Sequence, residues 1–273
     1  MRAVFLFLTI MNLQPIGIFD SGVGGTSIWK ELRRTLPDES MVYLADSANA
    51  PYGERSPHEI LKLCIKNTEL LLEKDCKLIV VACNTATTNA IAYLRDNYSL
   101  PFIGIEPAIK PAALNTSSGV IGVLATRGTL SSELFARTSG NFAAGIRVIE
   151  QFGDGLVPLI EAGKIHSEEM TILLHQYLDP MIEKGIDHLV LGCTHYPYLI
   201  DRMKSILPED VKIIDSGQAV ARQTKRVLEA QNALAPANDN QVSLKFYTNA
   251  DKELLRSFLN DVNDPFEIIE LDF

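Results

Sequence analysis

Short apolar runs rich in β-branched residues alternate with longer amphipathic stretches along most of this chain, and few architectures accommodate that rhythm. A run too short for a helix, then a stretch with apolar residues at helical spacing, then another run, is the pattern of βα units laid around a parallel sheet. Strands are predicted over residues 16–19, 41–45, 78–82, 102–105, 120–124, 147–149, 188–191 and 212–215. Between them lie amphipathic segments such as 57–74, where Ile60, Leu61, Cys64, Ile65, Leu70 and Leu71 recur at helical spacing. After a polar loop over 233–241, residues 242–248 alternate like a further strand and 251–259 resembles a short helix. The expected class is α/β. With 47% hydrophobic and 22% charged residues the chain can build a packed core, and its 273 residues suit two domains of about 100 to 200 residues each.

Two of the predicted strands end alike. Residues 78–87 read LIVVACNTAT and 188–197 read HLVLGCTHYP: an apolar strand, a cysteine, then hydroxyl-bearing residues. Cys83 and Cys193 are 110 residues apart, about the width of a domain, so two halves of similar build would each offer a thiol from an equivalent corner.

Ligands of open α/β sheets bind beyond the carboxyl ends of the strands, which directs attention to three corners. The first is GIFDSGVGG over 17–25, where Asp20 and Ser21 precede glycines that let the backbone approach a ligand. It lacks the lysine and spacing of a Walker A loop, and it is not a G-x-G-x-x-G in register with a ribose-binding acid. Asp20 is either an N-cap of the next helix or an acid/base group. The second corner is Cys83 with Asn84, Thr85, Thr87 and Thr88, where a helix start would favour the thiolate and neutral donors suit a carboxylate ligand. The third is Cys193, Thr194, His195 and Tyr196. Cys64 and Cys76 sit on helical patterns without a polar cluster and are expected to fill the core. Two thiols from two halves suit a reaction that needs a base on one face of a carbon and an acid on the other, such as inversion of a stereocentre.

The formal net charge of −9 and the lack of a basic run argue against nucleic acid as a primary partner. Four unevenly spaced cysteines make no disulfide framework and no Cys-x-x-Cys pair for zinc, so reduced thiols and a cytoplasmic location are expected. The apolar stretch over 1–10 is too short for a membrane helix and is not followed by a small-residue cleavage site; a soluble extension, or a true start at Met11, is the expectation.

At these residues the sequence resembles the glutamate racemases of the cofactor-independent aspartate/glutamate racemase superfamily. The matching segments are GIFDSGVGG (17–25), YLADSANAPYGERS (43–56), VVACNTAT (80–87), GIEPAIKPA (104–112), GVLATRGT (122–129), VPLIEAG (157–163), LGCTHYPYL (191–199) and DSG (215–217), in family order. The resemblance implies two flavodoxin-like domains facing each other across a cleft, with 1–107 plus 217–273 as the first and 108–216 as the second. It implies that Cys83 and Cys193 are the acid/base thiols, Cys83 for D-glutamate and Cys193 for L-glutamate. Asp20 would assist the first, His195 and Glu161 the second. Ser21, Tyr52, Gly53, Asn84, Thr85, Thr126 and Thr194 would hold the substrate together with Asp20 and His195. Neither pyridoxal phosphate nor a metal is implied, a homodimer is, and the D-glutamate product would serve peptidoglycan synthesis. One departure stands out: QFGDG over 151–155 replaces a Cys-Pro segment of many relatives, close to Glu161.

The aspartate racemase branch tends to place a histidine after the first Cys-Asn-Thr-Ala and a glutamate after the second Cys-Thr, where this chain has Thr87 and His195, so glutamate is favoured. A catalytically silent relative acting as a regulatory binding protein is the alternative of another class, against which the intact thiol pair stands. A thiol hydrolase would leave the second cysteine without a role.

Overall fold

The computed structural model describes residues 13–142, 145–237 and 242–273; the apolar stretch over 1–10 and the end of the 233–241 loop lie outside them. The first half begins with β1 (Ile16–Asp20), α1 (Thr26–Thr35), β2 (Met41–Ala45), α2 (Pro57–Glu73), β3 (Leu78–Val81), α3 (Asn84–Asn97) and β4 (Phe102–Gly104). The strands pair in parallel in the order β2-β1-β3-β4. Every residue of β1, β2 and β3 is buried, which is why these strands read as unbroken apolar runs instead of alternating ones. Parallel neighbours need crossover helices, and the sequence starts one of them cleanly. Ser56 accepts from the Glu59 amide, Glu59 reaches back to the Ser56 amide, and Pro57 occupies the first turn of α2.

The second half repeats the plan. After α4 (Ile109–Asn115) come β5 (Val120–Ala125), α5 (Arg127–Leu130), α6 (Glu133–Phe142), β6 (Arg147–Phe152), α7 (Leu156–Glu161), α8 (Glu168–Glu183), β7 (His188–Gly192), α9 (Ile200–Lys204) and β8 (Lys212–Ile214). The order β6-β5-β7-β8 is that of the first half, all parallel, with the cysteine after the third strand in both. The chain then returns through α10 (Gly217–Ala230), which packs on α1, and adds β9 (Leu244–Thr248), α11 (Lys252–Ser257) and β10 (Glu267–Glu270) beyond β2.

Two strands differ from expectation. β6 runs three residues past the predicted end because its six residues pair along the whole of β5, from Val120↔Arg147 to Ala125↔Phe152. It lies at the edge of its sheet with Glu150 exposed, so polar residues enter it without cost. β10, not anticipated, is also an edge strand, and its Glu-Ile-Ile-Glu sequence carries too little apolar signal to be read from periodicity. Among the described residues no helix is long and apolar enough to cross a membrane.

Candidate active site

In a sheet of order 2-1-3-4 the connections leave in opposite directions from the first and third strands, opening a crevice at their carboxyl ends. Ser21 follows β1 and Cys83 follows β3; Thr126 follows β5 and Cys193 follows β7. These four corners meet in one cleft of about 260 Å³, open solvent at its mouth included. Ten of the twelve residues expected at the site line it: Ser21, Tyr52, Gly53, Cys83, Asn84, Thr85, Thr126, Cys193, Thr194 and His195. The other two, Asp20 and Glu161, stand behind this lining. Pro51 and Val157 complete the wall; both lie within matching segments, yet being apolar they carried no chemical signal.

Cys83 occupies the N-cap of α3, its Sγ accepting from the Ala86 amide at 3.4 Å and lying 3.8 Å from Ser21 Oγ. The helix start was expected to favour the thiolate. Burial outweighs it: with 5% exposure the thiol is pushed well above its ordinary value, the Asp20 carboxylate pushes it further, and the single Ala86 hydrogen bond opposes both weakly. Cys64 and Cys76 are buried in an apolar cluster as expected, and desolvation drives the Cys76 thiol to about 12.

Cys193 lies 3.7 Å from Nδ1 of His195, whose Nε2 is 2.6 Å from Glu161 Oε1. Burial alone would lower the imidazole's pKa, but the hydrogen bonds and negative charges of Cys193 and Glu161 more than offset it and hold His195 well above its ordinary value. An imidazolium donates from both nitrogens, here one toward Cys193 Sγ and one toward the Glu161 carboxylate. The Gly24 amide also approaches Nε2, at 3.3 Å; the shorter Glu161 contact decides which way that nitrogen's proton points.

Glu161 belongs to the second half yet is gripped by the first: Oε1 accepts from the Val23 amide at 2.8 Å and Oε2 from Ser47 Oγ at 3.1 Å. The glycines of 17–25 admit it. A Cβ on Gly22 would sit 1.9 Å from Glu161 Oε1, and one on Gly24 would sit 2.3 Å from His195 Nδ1. The glycine loop is therefore a socket for the carboxylate–imidazole pair of the opposite half. Asp20, fully buried, accepts from the Gly25 amide at 2.7 Å and from Thr194 Oγ1 at 3.4 Å, the latter across the two halves. It makes no side-chain cap for α1. Burial raises its carboxyl pKa, against which the His195 charge and the Gly25 amide act.

On the far side of the cleft Thr126 Oγ1 lies 2.8 Å from Thr85 Oγ1 and 3.0 Å from Thr129 Oγ1, so hydroxyls also bridge the halves there. Thr129 and Ser47, which brace the site from outside the lining, were not anticipated. Asn84 is 2% exposed, and among the described residues both its amide oxygen and its amide nitrogen lack a hydrogen-bond partner. A buried amide with neither group satisfied is costly, and this one lines the cleft, as a binder of a small polar ligand would. Tyr52 behaves differently. Its hydroxyl donates to Asp46 Oδ2 at 2.5 Å and accepts from Asn67 Nδ2 at 3.0 Å, while Lys66 and Asn249 hold the other Asp46 oxygen. The phenol is consumed by this network, which leaves the ring and backbone of Tyr52 to face the cleft.

The profile of the Asp/Glu/Hydantoin racemase family matches residues 20–224, a span that holds every cleft residue named above. The chain is 47% identical to a glutamate racemase of Stutzerimonas stutzeri over 246 residues, covering 90% of this chain and 92% of that protein. In structure it is similar to a glutamate racemase isoform from Bacillus anthracis, with a TM-score of 0.83 at 31% identity over 95% of this chain and 98% of the other. It is similar, again with a TM-score of 0.83 and at 34% identity, to an Escherichia coli glutamate racemase solved with L-glutamate and the activator UDP-MurNAc-ala; 95% of this chain and 98% of that one are covered.

Proposed function

The chain belongs to the Asp/Glu/Hydantoin racemase family, and from that membership and the placement of two thiols in one cleft we infer that it interconverts L- and D-glutamate. The observation that carries the reading is the pair Cys83 and Cys193, delivered by equivalent corners of two equivalent sheets. One thiolate takes the α-proton and becomes a thiol; the other thiol gives its proton to the opposite face and becomes a thiolate. One proton enters and one leaves Cα, so its configuration inverts and no electrons are exchanged.

The surroundings arm the two thiols differently. The imidazolium of His195, backed by Glu161, stands 3.7 Å from Cys193 Sγ, whereas burial and the Asp20 charge push the Cys83 thiol up. That asymmetry suits removal of the proton from L-glutamate by Cys193 and delivery by Cys83. The α-proton is far less acidic than any thiol, so the carbanionic transition state needs fixed donors and exclusion of water. Asn84, Thr85, Thr126 and Thr194 provide neutral donors around the substrate's carboxylates, which leaves the His195 imidazolium, held between Cys193 and Glu161, as the cleft's positive group.

The test is incubation with L-glutamate in deuterated water without added cofactor, following circular dichroism and α-proton exchange. Loss of optical signal with deuterium at Cα is expected; racemisation of aspartate with glutamate untouched would overturn the substrate assignment. The D-glutamate formed would feed peptidoglycan synthesis. The same reading extends to a cytoplasmic homodimer, which sedimentation of the purified protein decides for the oligomer.

The committed phenol of Tyr52 yields a further expectation. Tyr52→Phe removes the short hydrogen bond to Oδ2 of the buried Asp46 carboxylate, which keeps Lys66, Asn49, Asn67 and Asn249, and lowers stability by about 1–3 kcal/mol. It leaves KM for glutamate within about 3-fold, because the hydroxyl does not serve the substrate. Urea unfolding and steady-state kinetics check the two halves of this statement; a KM increase of about 10-fold or more would place the hydroxyl on the substrate instead.

A further inference from the structure

Beside the catalytic cleft lies a second hollow of about 300 Å³, open solvent at its mouth included, that shares Pro51, Gly53, Thr126 and Val157 with it. The two adjoin across these shared residues, and the hollow that holds the exposed Arg127 and Asp154 is called the vestibule. Among the described residues lining either hollow, Arg127 is the only lysine or arginine. It directly follows Thr126, at the start of α5. Its guanidinium lies over the Phe152 ring, 4.6 Å from the centroid, and pairs with Asp154, Nε to Oδ1 at 3.0 Å and Nη2 to Oδ2 at 2.5 Å.

We propose that Arg127 is a first-contact site for the dicarboxylate substrate, parked on Asp154 when the vestibule is empty and transferred to a substrate carboxylate on entry. This rests on the glutamate reading above. An amino acid with two carboxylates approaches a chain of net charge −9, and the carboxyl groups behind the cleft, the buried Asp20 and the partly buried Glu161, offer it no counter-charge. The cleft's own positive group, the His195 imidazolium, is held between Cys193 and Glu161, so a cation at the mouth is where attraction can act on an arriving carboxylate. The exchange of partners is easy. The side chains of Arg127 and Asp154 are 57% and 48% exposed, and an ion pair so wet contributes little to stability. Exchanging one carboxylate for another preserves the fork geometry that a guanidinium offers. The Phe152 ring meanwhile holds the guanidinium at the rim, so it does not have to be ordered anew for each substrate.

The two partners should act with opposite signs. At low ionic strength Arg127→Gln is expected to lower kcat/KM for glutamate by about 5- to 10-fold, and Asp154→Asn, which frees the cation, to raise it by about 2- to 3-fold. In both variants kcat stays within about 2-fold of the parent, since neither side chain lines the catalytic cleft itself. The differences should shrink as salt is raised past about 0.1 M, where the screening length is roughly 10 Å. Same-signed effects, no effect of Arg127→Gln, a loss carried by kcat with KM unchanged, or effects that persist in salt would each overturn the proposal. A parent protein that fails to racemise glutamate would instead overturn the functional reading beneath it, so the two failures are told apart by the unmodified control.

Discussion

Replacing either Cys83 or Cys193 with alanine lowers racemisation of glutamate by about 10³-fold or more in both directions. General acid–base groups in proton transfer are worth about 10²- to 10⁴-fold each, and the reaction needs both in every turnover. The two losses should not add: with one thiol gone, the second has no partner to complete the inversion, so the double variant is expected to be little worse than either single one. Deuterated water separates the roles further. With Cys83 removed, any residual deuterium entering L-glutamate must do so through Cys193 on the face from which the proton left, giving exchange without change of hand. Racemisation intact in either single variant would end the two-thiol reading. The fold should survive, because each thiol is a small buried group at a strand end and neither belongs to a disulfide.

Gly22→Ala is expected to lower kcat/KM by about 10²-fold although it touches neither thiol. The added Cβ would stand 1.9 Å from Glu161 Oε1, nearer than any nonbonded contact allows, and Glu161 is what backs His195 at 2.6 Å. Misplacing a catalytic group by about 1 Å costs on the order of 10²-fold. The backbone itself has no objection to alanine, since the φ of Gly22 is outside the left-handed region, so the effect isolates space from strain. A double-variant comparison makes the claim sharp. If the clash with Glu161 is the whole cause, Gly22→Ala costs little once Glu161→Ala has removed the obstructing side chain; full additivity of the two losses, or a fully active Gly22→Ala, would show that the glycine does not serve as a socket.

The strands were legible because a parallel sheet covered on both faces demands continuous apolar runs, and the runs at 78–81 and 188–192 supply them. Among the edge strands, β6 was shortened and β10 missed because polar residues interrupt their apolar runs, Glu150 and Gln151 in one and Glu267 and Glu270 in the other. Cys83 shows the same boundary in chemistry. Its place at a helix start could be read from CNTAT, and that local geometry favours a thiolate; how deeply the site is buried is not a local property, and burial reverses the outcome. The glycines at 22 and 24 could be seen as room for a ligand, but what fills the room is a carboxylate 139 residues from Gly22 and an imidazole 171 residues from Gly24.

Local order along the chain therefore determined the α/β class, the duplication, and the chemical kinds present at each corner, since propensity, burial period and strand-end position are written into neighbouring residues. Tertiary structure alone decided which groups meet: that Glu161 of one half locks into the glycine loop of the other, that Tyr52 spends its hydroxyl on Asp46, and that Arg127 waits at the mouth instead of in the cleft. Hydrogen bonds and desolvation depend on separations of a few ångströms between residues remote in sequence, and those separations come into being only when the two sheets close on each other.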